Sequence, residues 1–298
     1  MAVAAGALTP ARVWWSAVRP ATLAASVAPV LTGTAIALNT GDVQWGAGLG
    51  ALVVGLAMQI GVNFANDYSD FKRGADTART GPVRAASSGV VPPEQVRAAA
   101  IGAFGVAGAA GLLISVAVDW RLLIAGAACI VAAWLYTGGP RPYGYLGLGE
   151  LFVFVFFGLV ATLGTIYVET GRVPSLGTAF ACAMGFLACA ILVLNNLRDI
   201  ETDAAAGKRT LATRIGRDNT RLLLTGLVVA AFTIPVLARL LALTGVAVWL
   251  TLVALVPAVA SLRIAWRSTS APALVGALKL MAATELVYAL LLALGLLI

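Results

Sequence analysis

Apolar residues dominate this chain in long, nearly unbroken runs. Nine such runs lie near 20–39, 46–66, 95–117, 120–137, 150–168, 175–196, 220–242, 245–265 and 272–297. A helix needs about 20 mostly apolar residues to cross the hydrocarbon core of a bilayer. Several of the connections are short, so neighbouring helices should be antiparallel. The pattern predicts an all-α, polytopic membrane protein with nine transmembrane helices. Ahead of the first run, Val13-Trp14-Trp15 lies beside Arg12 and Arg19. This reads as an interfacial segment over about residues 10–19, with aromatics at headgroup depth and arginines in the polar layer. The residues before Arg12 carry no basic charge, so a cleaved signal peptide is not expected.

Composition sharpens the picture. Hydrophobic residues make up 60% of the 298 and charged residues 11%, whereas a soluble domain is nearer half apolar and a quarter charged. Lipid absorbs that excess and a globular core does not. The expectation is one membrane-embedded domain over 1–298. Cys129, Cys182 and Cys189 all fall inside apolar runs without metal-ligand spacing and read as small core residues. The chain has no histidine, which excludes a Ser-His-Asp triad and a His-ligated metal. Any acid–base or metal chemistry must use carboxylates, amides, Tyr, Lys or Arg.

Charge orients the runs. With the N-terminus in the cytoplasm, only Arg121, Arg172 and Arg239 of the 20 Lys and Arg residues fall on the opposite side, and Lys279 lies within the last run. This positive-inside bias predicts a plasma-membrane protein with a cytoplasmic N-terminus and an external C-terminus. No nucleic-acid partner is expected.

Two of the cytoplasmic loops hold acids as well as bases, which orientation does not require. One reads Asn66-Asp67-Tyr68-Ser69-Asp70-Phe71-Lys72-Arg73-Gly74-Ala75-Asp76 and the other Asn195-Asn196-Leu197-Arg198-Asp199-Ile200-Glu201-Thr202-Asp203. Each follows a long apolar run directly. On a continuing helix, residues four apart share a face. Asn195, Asp199 and Asp203 then form one polar stripe. Asn66 and Asp70 form another, with Gly74 letting the chain turn before Asp76. Two such stripes face to face would repel strongly unless neutralised, and a hard divalent cation with oxygen ligands shared with substrate phosphates removes that cost. Asn66, Asp67, Asp70, Asp76, Asn195, Asp199 and Asp203 are therefore candidate Mg²⁺ ligands. Basic residues follow each motif: Arg79 and Arg84 after the first, Lys208 and Arg209 after the second. Such residues supply the positive charge that a diphosphate needs beyond its metals.

The motifs recur about 129 positions apart, each after the second helix of a four-helix group. Helices 1–4 and 5–8 could be pseudo-repeats with a ninth added, and the site would lie in a central cavity between the halves. A third cytoplasmic loop, Tyr136-Thr137-Gly138-Gly139-Pro140-Arg141-Pro142-Tyr143-Gly144-Tyr145, resists helix formation. Its tyrosines and arginine could stack on and orient an aromatic acid.

At these residues the chain resembles the UbiA superfamily of intramembrane prenyltransferases. The resemblance rests on Asn66-Asp67-Tyr68-x-Asp70-x-x-x-Gly74-x-Asp76 with Arg79-x-Gly81-Pro82-x-Arg84. It extends to Asn195-Asn196-x-Arg198-Asp199-x-x-x-Asp203 with Gly207-Lys208-Arg209-Thr210-Leu211, to Arg19-Pro20-x-Thr22 and to the Tyr136 loop. The wide gap before Asp76 is similar to the branch that prenylates 1,4-dihydroxy-2-naphthoate. One departure is Ala85-Ala86-Ser87-Ser88, where the family carries a bulkier, more polar stretch. The resemblance implies nine helices around a cavity that opens sideways to lipid. It also implies Mg²⁺, two ions bridging the diphosphate, and transfer of a polyprenyl group from its diphosphate to an aromatic acid with loss of CO₂. Asp70, Asp199, Asp203 and Lys208 are then the expected catalytic groups. Asn63, Lys72, Arg79, Arg84, Tyr136, Arg141, Tyr143, Arg198, Lys208 and Arg209 are the expected substrate contacts.

Other readings stay open at this point. Lys279 and Glu285 in the last run could serve a transporter, although six residues apart they share a helix face poorly. A phosphatidyltransferase of the CDP-alcohol class would carry one compact aspartate motif rather than two. Within the superfamily, the acceptor could instead be 4-hydroxybenzoate or homogentisate.

Overall fold

In hydrocarbon, a backbone must satisfy its own hydrogen bonds, and apolar runs of this length do so as helices. A computed structural model describes residues 9–41, 43–74, 83–139 and 142–298, and all regular structure among them is helical. The chain enters through α1 (Pro10–Val18), which has Pro at its first turn and the Thr9 hydroxyl accepting from the Arg12 amide. Val13 is buried while Trp15 is 67% exposed, so α1 lies with one face on the bundle. It stops at Arg19, whose left-handed backbone (φ 54°) turns the chain through Pro20–Leu23 into α2 (Ala24–Thr40).

The remaining helices are α3 (Trp45–Lys72), α4 (Pro93–Ala117) and α5 (Leu122–Thr137), followed by α6 (Gly149–Val153), α7 (Ala161–Thr170), α8 (Ser175–Arg198) and α9 (Ile200–Ala205). The chain ends with α10 (Leu211–Leu240), α11 (Leu255–Arg267) and α12 (Ala271–Leu297). A π-helical stretch, Phe154–Val160, joins α6 to α7, and Val246–Ala254 leads into α11 as a 3-10 helix. Within α10, Gly216 leaves the helical conformation (φ 78°), so the chain bends there between a surface segment and the membrane-length helix. At the π-helical stretch, Gly158 meets Gly185 of α8 so closely that a Cβ on Gly158 would lie 2.4 Å from the Gly185 Cα. Small residues at helix contacts permit this kind of backbone approach.

Eight helical stretches among the described residues are long and apolar enough to cross a membrane: α3, α4, α8, α10 and α12 singly, and Pro10–Thr40, Gly149–Thr170 and Val246–Arg267 as consecutive helical segments joined end to end. The run near 120–137 yields only the 16 residues of α5, about 24 Å at 1.5 Å per residue, short of the roughly 30 Å hydrocarbon core. Both ends have a physical cause. The Asp119 carboxylate accepts from the Arg121 amide at 2.9 Å and builds a turn before the helix, and Gly138-Gly139 ends it, with Gly139 at φ 76°.

Of the 18-residue apolar stretch within each helix, 67% is buried in α8 against 22% in α4, which makes α8 an interior helix and leaves α4 facing outward. α2 packs on α7 and α12, α3 on α4, and α8 on α10. At one end of the bundle the Tyr167 hydroxyl donates to Asp119 at 2.7 Å and the Gln44 amide to the Glu169 carbonyl at 3.0 Å. The two carboxylate motifs meet at the other end.

Candidate active site

The last turns of α3 and the turn after α9 converge on one carboxylate. Asp70, 3% exposed, accepts from the Lys208 ammonium at 2.7 Å, from the Tyr145 hydroxyl at 2.7 Å and from the Arg84 guanidinium at 3.2 Å. Burying a carboxylate demands this many partners. The Lys208 ammonium also stands 4.8 Å from the centre of the Tyr145 ring, and the Arg73 guanidinium 5.3 Å from it. Tyr145 thus carries two cations on its ring and one carboxylate on its hydroxyl. Burial and the Asp70 charge hold that hydroxyl well above the usual tyrosine range, so it remains a donor. The Tyr145 carbonyl accepts from the Arg209 amide at 3.1 Å, which ties the aromatic loop to the second motif.

The other motif residues split by role. Arg198 clamps Asp199 with both Nε (2.7 Å) and Nη2 (2.6 Å) and donates to Asn195 at 2.8 Å. Asp203 is half-buried beside this group, and its carbonyl accepts from the Lys208 amide at 2.8 Å, which turns the chain so that Lys208 points back toward Asp70. Asp67 accepts from the Ala85 amide at 2.7 Å and lies 4.0 Å from Arg84, so it anchors the segment that carries Arg84. Ala85 and Ala86 are buried at 0% and 3%, and small residues suit that tight seat. Asn66 accepts from the Thr137 hydroxyl at 2.6 Å.

A cavity of about 340 Å³ opens beside these groups. Its polar end is formed by Arg19, Thr22, Asn63, Asn66, Tyr136 and Asn195. Met58, Phe152, Phe156, Val160, Ile114 and Leu122 continue it as an apolar channel toward the opposite end of the bundle. Tyr143 stacks on Phe152 with centroids 3.9 Å apart and meets Tyr136 edge-on at 5.4 Å. Its own hydroxyl, pushed well above the usual range by burial, donates to the Ala132 carbonyl at 2.8 Å.

Not every expected contact gathers here. Lys72 lies in a separate groove of about 220 Å³ with Tyr68, Arg73 and Arg97 and stands 3.8 Å from Glu94. Arg209 is exposed and contributes backbone contacts. Asn63 lines the cavity, but its amide donates to the Val18 carbonyl at 2.8 Å and to Thr22 at 3.2 Å, fastening α3 to the α1–α2 turn. Asp76, Arg79 and Arg141 lie outside the described residues. Lys279 is exposed while Glu285 is fully buried, so those two charges do not share a face. The sequence offered Tyr145 only as one of the loop tyrosines that could stack on an aromatic acid, not as a partner of Asp70, and it did not single out Arg73, Thr137, Arg19 or Glu150 as site residues. Tyr145 had a signal in its tyrosine-rich loop, and Glu150 had one as a charge at the start of an apolar run.

The donor set fits a hard cation in chemistry: amide and carboxylate oxygens from Asn66, Asp67, Asp70, Asn195, Asp199 and Asp203, without sulfur or imidazole. Among the described residues no three acidic groups already converge as a chelate. Instead, Lys208 and Arg84 compensate Asp70, and Arg198 compensates Asp199. A divalent ion taking over those carboxylates would leave the same basic groups to face an anionic ligand.

A sequence profile of the UbiA prenyltransferase family matches residues 26–286. The chain is 50% identical over 218 residues to the 1,4-dihydroxy-2-naphthoate octaprenyltransferase of Mycobacterium tuberculosis, covering 73% of this chain and 75% of that one. It is 37% identical over 248 residues to the Escherichia coli protein of the same name, covering 81% and 80%. Its fold is similar to a UbiA homologue from Aeropyrum pernix (TM-score 0.65, 14% identity, 96% of this chain and 98% of that one). It is also similar to one from Archaeoglobus fulgidus solved with GPP and Mg²⁺ (TM-score 0.64, 15% identity, 94% and 99%). With a matching profile over most of its length and relatives this similar, the chain belongs to the UbiA prenyltransferase family.

Proposed function

We propose that this enzyme transfers a polyprenyl group from polyprenyl diphosphate to 1,4-dihydroxy-2-naphthoate, with loss of diphosphate and CO₂, giving demethylmenaquinone in its reduced, hydroquinone form. The observation that carries the reading is the Lys208–Asp70 contact, which joins two carboxylate motifs at the mouth of an apolar cavity. The naphthoate octaprenyltransferases at 50% and 37% identity support the acceptor.

Breaking an allylic C–O bond requires stabilising the departing diphosphate. Asn66, Asp70, Asn195, Asp199 and Asp203, with Asp67 and Asp76 in support, would hold Mg²⁺, two ions in all, which would supply Lewis-acid stabilisation of that charge. Lys208 and Arg84 bind the diphosphate oxygens and add fixed positive charge where negative charge develops. Arg198 holds Asp199 and Asn195 in place. Met58, Phe152, Phe156 and Val160 wall off the allylic carbon from water. Tyr136 and Tyr143 orient the aromatic acid, whose electron-rich ring attacks; decarboxylation then restores aromaticity.

Topology belongs to the same proposal. α5 crosses as a ninth span despite its length. Its Thr137 end meets Ser69 and Asn66, and its Asp119 end meets Tyr167 at the far side. Packing of α3 on α4 and of α8 on α10 supports two pseudo-repeats. The motifs face the cytoplasm at the plasma membrane, the C-terminus lies outside, and the whole chain acts as one domain.

The test is incubation of the purified protein with 1,4-dihydroxy-2-naphthoate, a polyprenyl diphosphate and Mg²⁺, with an EDTA control and mass spectrometry of the products. Metal-dependent, decarboxylated prenyl product is expected. Product only with 4-hydroxybenzoate or homogentisate replaces the acceptor, and no product with any aromatic acid overturns the reading.

A further inference from the structure

Lys72 belongs to the first carboxylate motif in sequence, yet the mechanism above has no place for it. The end of α3 has two sides. Asn66 and Asp70 face the active site. Tyr68, Ser69, Lys72 and Arg73 line a groove on the other side, and Arg97 of α4 and Trp134 of α5 complete its walls. Two hydrogen bonds fix the groove where α3 meets the end of α5. The Ser69 hydroxyl donates to the Thr137 carbonyl at 2.6 Å, and the Arg73 guanidinium donates to the Gly139 carbonyl. Three helices therefore build the groove.

Its charge is one-sided. Lys72, Arg73 and Arg97 are all exposed. The only acid that pairs with them among the described residues is Glu94, and it is shared. Lys72 lies 3.8 Å from its carboxylate and Arg97 3.5 Å, and the Tyr68 hydroxyl donates to it at 3.2 Å. Three cations against one carboxylate leave two positive charges over. Exposed ion pairs of this kind add little to stability, so the cluster is poorly explained as a clamp.

Position points to the ligand. α4 faces outward, and the surface beyond the cations turns apolar at once. Ile101, one turn along α4 from Arg97, is exposed, as are Val131 and Leu135 beside Trp134 on α5. Tryptophan favours headgroup depth, and basic pockets between transmembrane helices hold anionic headgroups. The groove of about 220 Å³ is smaller than the roughly 300–1,000 Å³ of ordinary small-molecule sites. That suits a headgroup whose acyl chains stay outside.

We propose that this groove binds the headgroup of an anionic membrane phospholipid through Lys72, Arg73 and Arg97, with the acyl chains along the exposed faces of α4 and α5. The occupant is a component of the bilayer and not the prenyl donor, whose diphosphate belongs with Lys208 and Arg84 across α3. Arg73 connects the two sides. It holds Gly139 and stands over the ring of Tyr145, whose hydroxyl donates to Asp70. The inference stands whichever aromatic acid is prenylated.

The test titrates phosphatidylglycerol into the purified, delipidated protein in a nonionic detergent and counts bound lipid by native mass spectrometry. Phosphatidylcholine is the zwitterionic control. Binding is the readout, so the result does not depend on turnover. One phosphatidylglycerol should bind at concentrations where phosphatidylcholine does not, and millimolar inorganic phosphate should not displace it. Lys72→Gln combined with Arg97→Gln should weaken binding about 30-fold, at about fivefold for each basic residue at a membrane surface. Arg263→Gln combined with Arg267→Gln removes the same charge from the end of α11 and should leave binding unchanged. Glu94→Gln removes the competing acid and should tighten binding, which damage to the fold would not do. Equal binding of the two lipids, equal weakening by the two double variants, or no tightening with Glu94→Gln overturns the proposal. Displacement of the lipid by inorganic phosphate also overturns it and makes the groove a general anion site.

Discussion

The Lys208 ammonium lies 2.7 Å from Asp70 Oδ1, across 138 positions of sequence. That single contact locks the end of α3 to the turn after α9 and places a cation of the second motif on a carboxylate of the first. Lys208→Ala should lower kcat/KM for the prenyl diphosphate by about 10²–10³-fold, the usual effect of deleting one oriented donor at a developing charge. Steady-state kinetics with a varied donor check this; an unchanged kcat/KM would remove Lys208 from the diphosphate site.

Asp199 is held bidentately by Arg198, so its substitution touches both the metal site and the packing of a buried guanidinium. Asp199→Asn keeps the shape and removes the charge. The expected outcome is loss of nearly all turnover that added Mg²⁺ does not restore, in a protein that still elutes as a single folded species in detergent. Product formation measured across a Mg²⁺ titration decides it, and full activity at high Mg²⁺ would argue against metal ligation by Asp199.

Tyr145 predicts a pH dependence. Burial and the Asp70 charge raise its hydroxyl well above the usual tyrosine range, while an unfolded tyrosine ionises near pH 10. The folded chain therefore keeps a proton that the unfolded chain gives up. The stabilisation is fully present below about pH 10 and is lost as pH rises beyond it. Thermal unfolding in detergent between pH 8 and pH 11 should show wild type losing more stability than Tyr145→Phe. Parallel curves would mean that the hydroxyl is not held protonated by its surroundings.

Gly158 abuts Gly185, and a Cβ on Gly158 would lie 2.4 Å from the Gly185 Cα. Gly158→Ala should destabilise the protein by about 1–3 kcal/mol, the common cost of overpacking. A thermal melt in detergent reads this directly; an unshifted melting temperature would mean that α8 can step back without loss.

Much of this protein is legible along the chain, because lipid imposes a simple rule. A span needs about 20 apolar residues in a row, so eight membrane-length helices were visible as runs. Acids that end such runs, Asp70 and Asp199, also stood out, since nothing in an apolar helix calls for them. The shortness of α5 was less visible, because the Asp119 turn and Gly139 cut the apolar run at its ends.

What faces what was decided only in three dimensions. Asn63, one turn before Asp67, looks like part of the polar stripe, yet its amide is spent on Val18 and Thr22. Lys72 looks like a ligand beside Asp70, yet it projects into an outer groove beside Glu94. Tyr145 reaches Asp70 from 75 positions away, and Glu150 meets Asn196 from 46. Periodicity reports the face a residue occupies on its own helix. The partner across that face is set by how helices far apart in sequence pack, which no local pattern encodes.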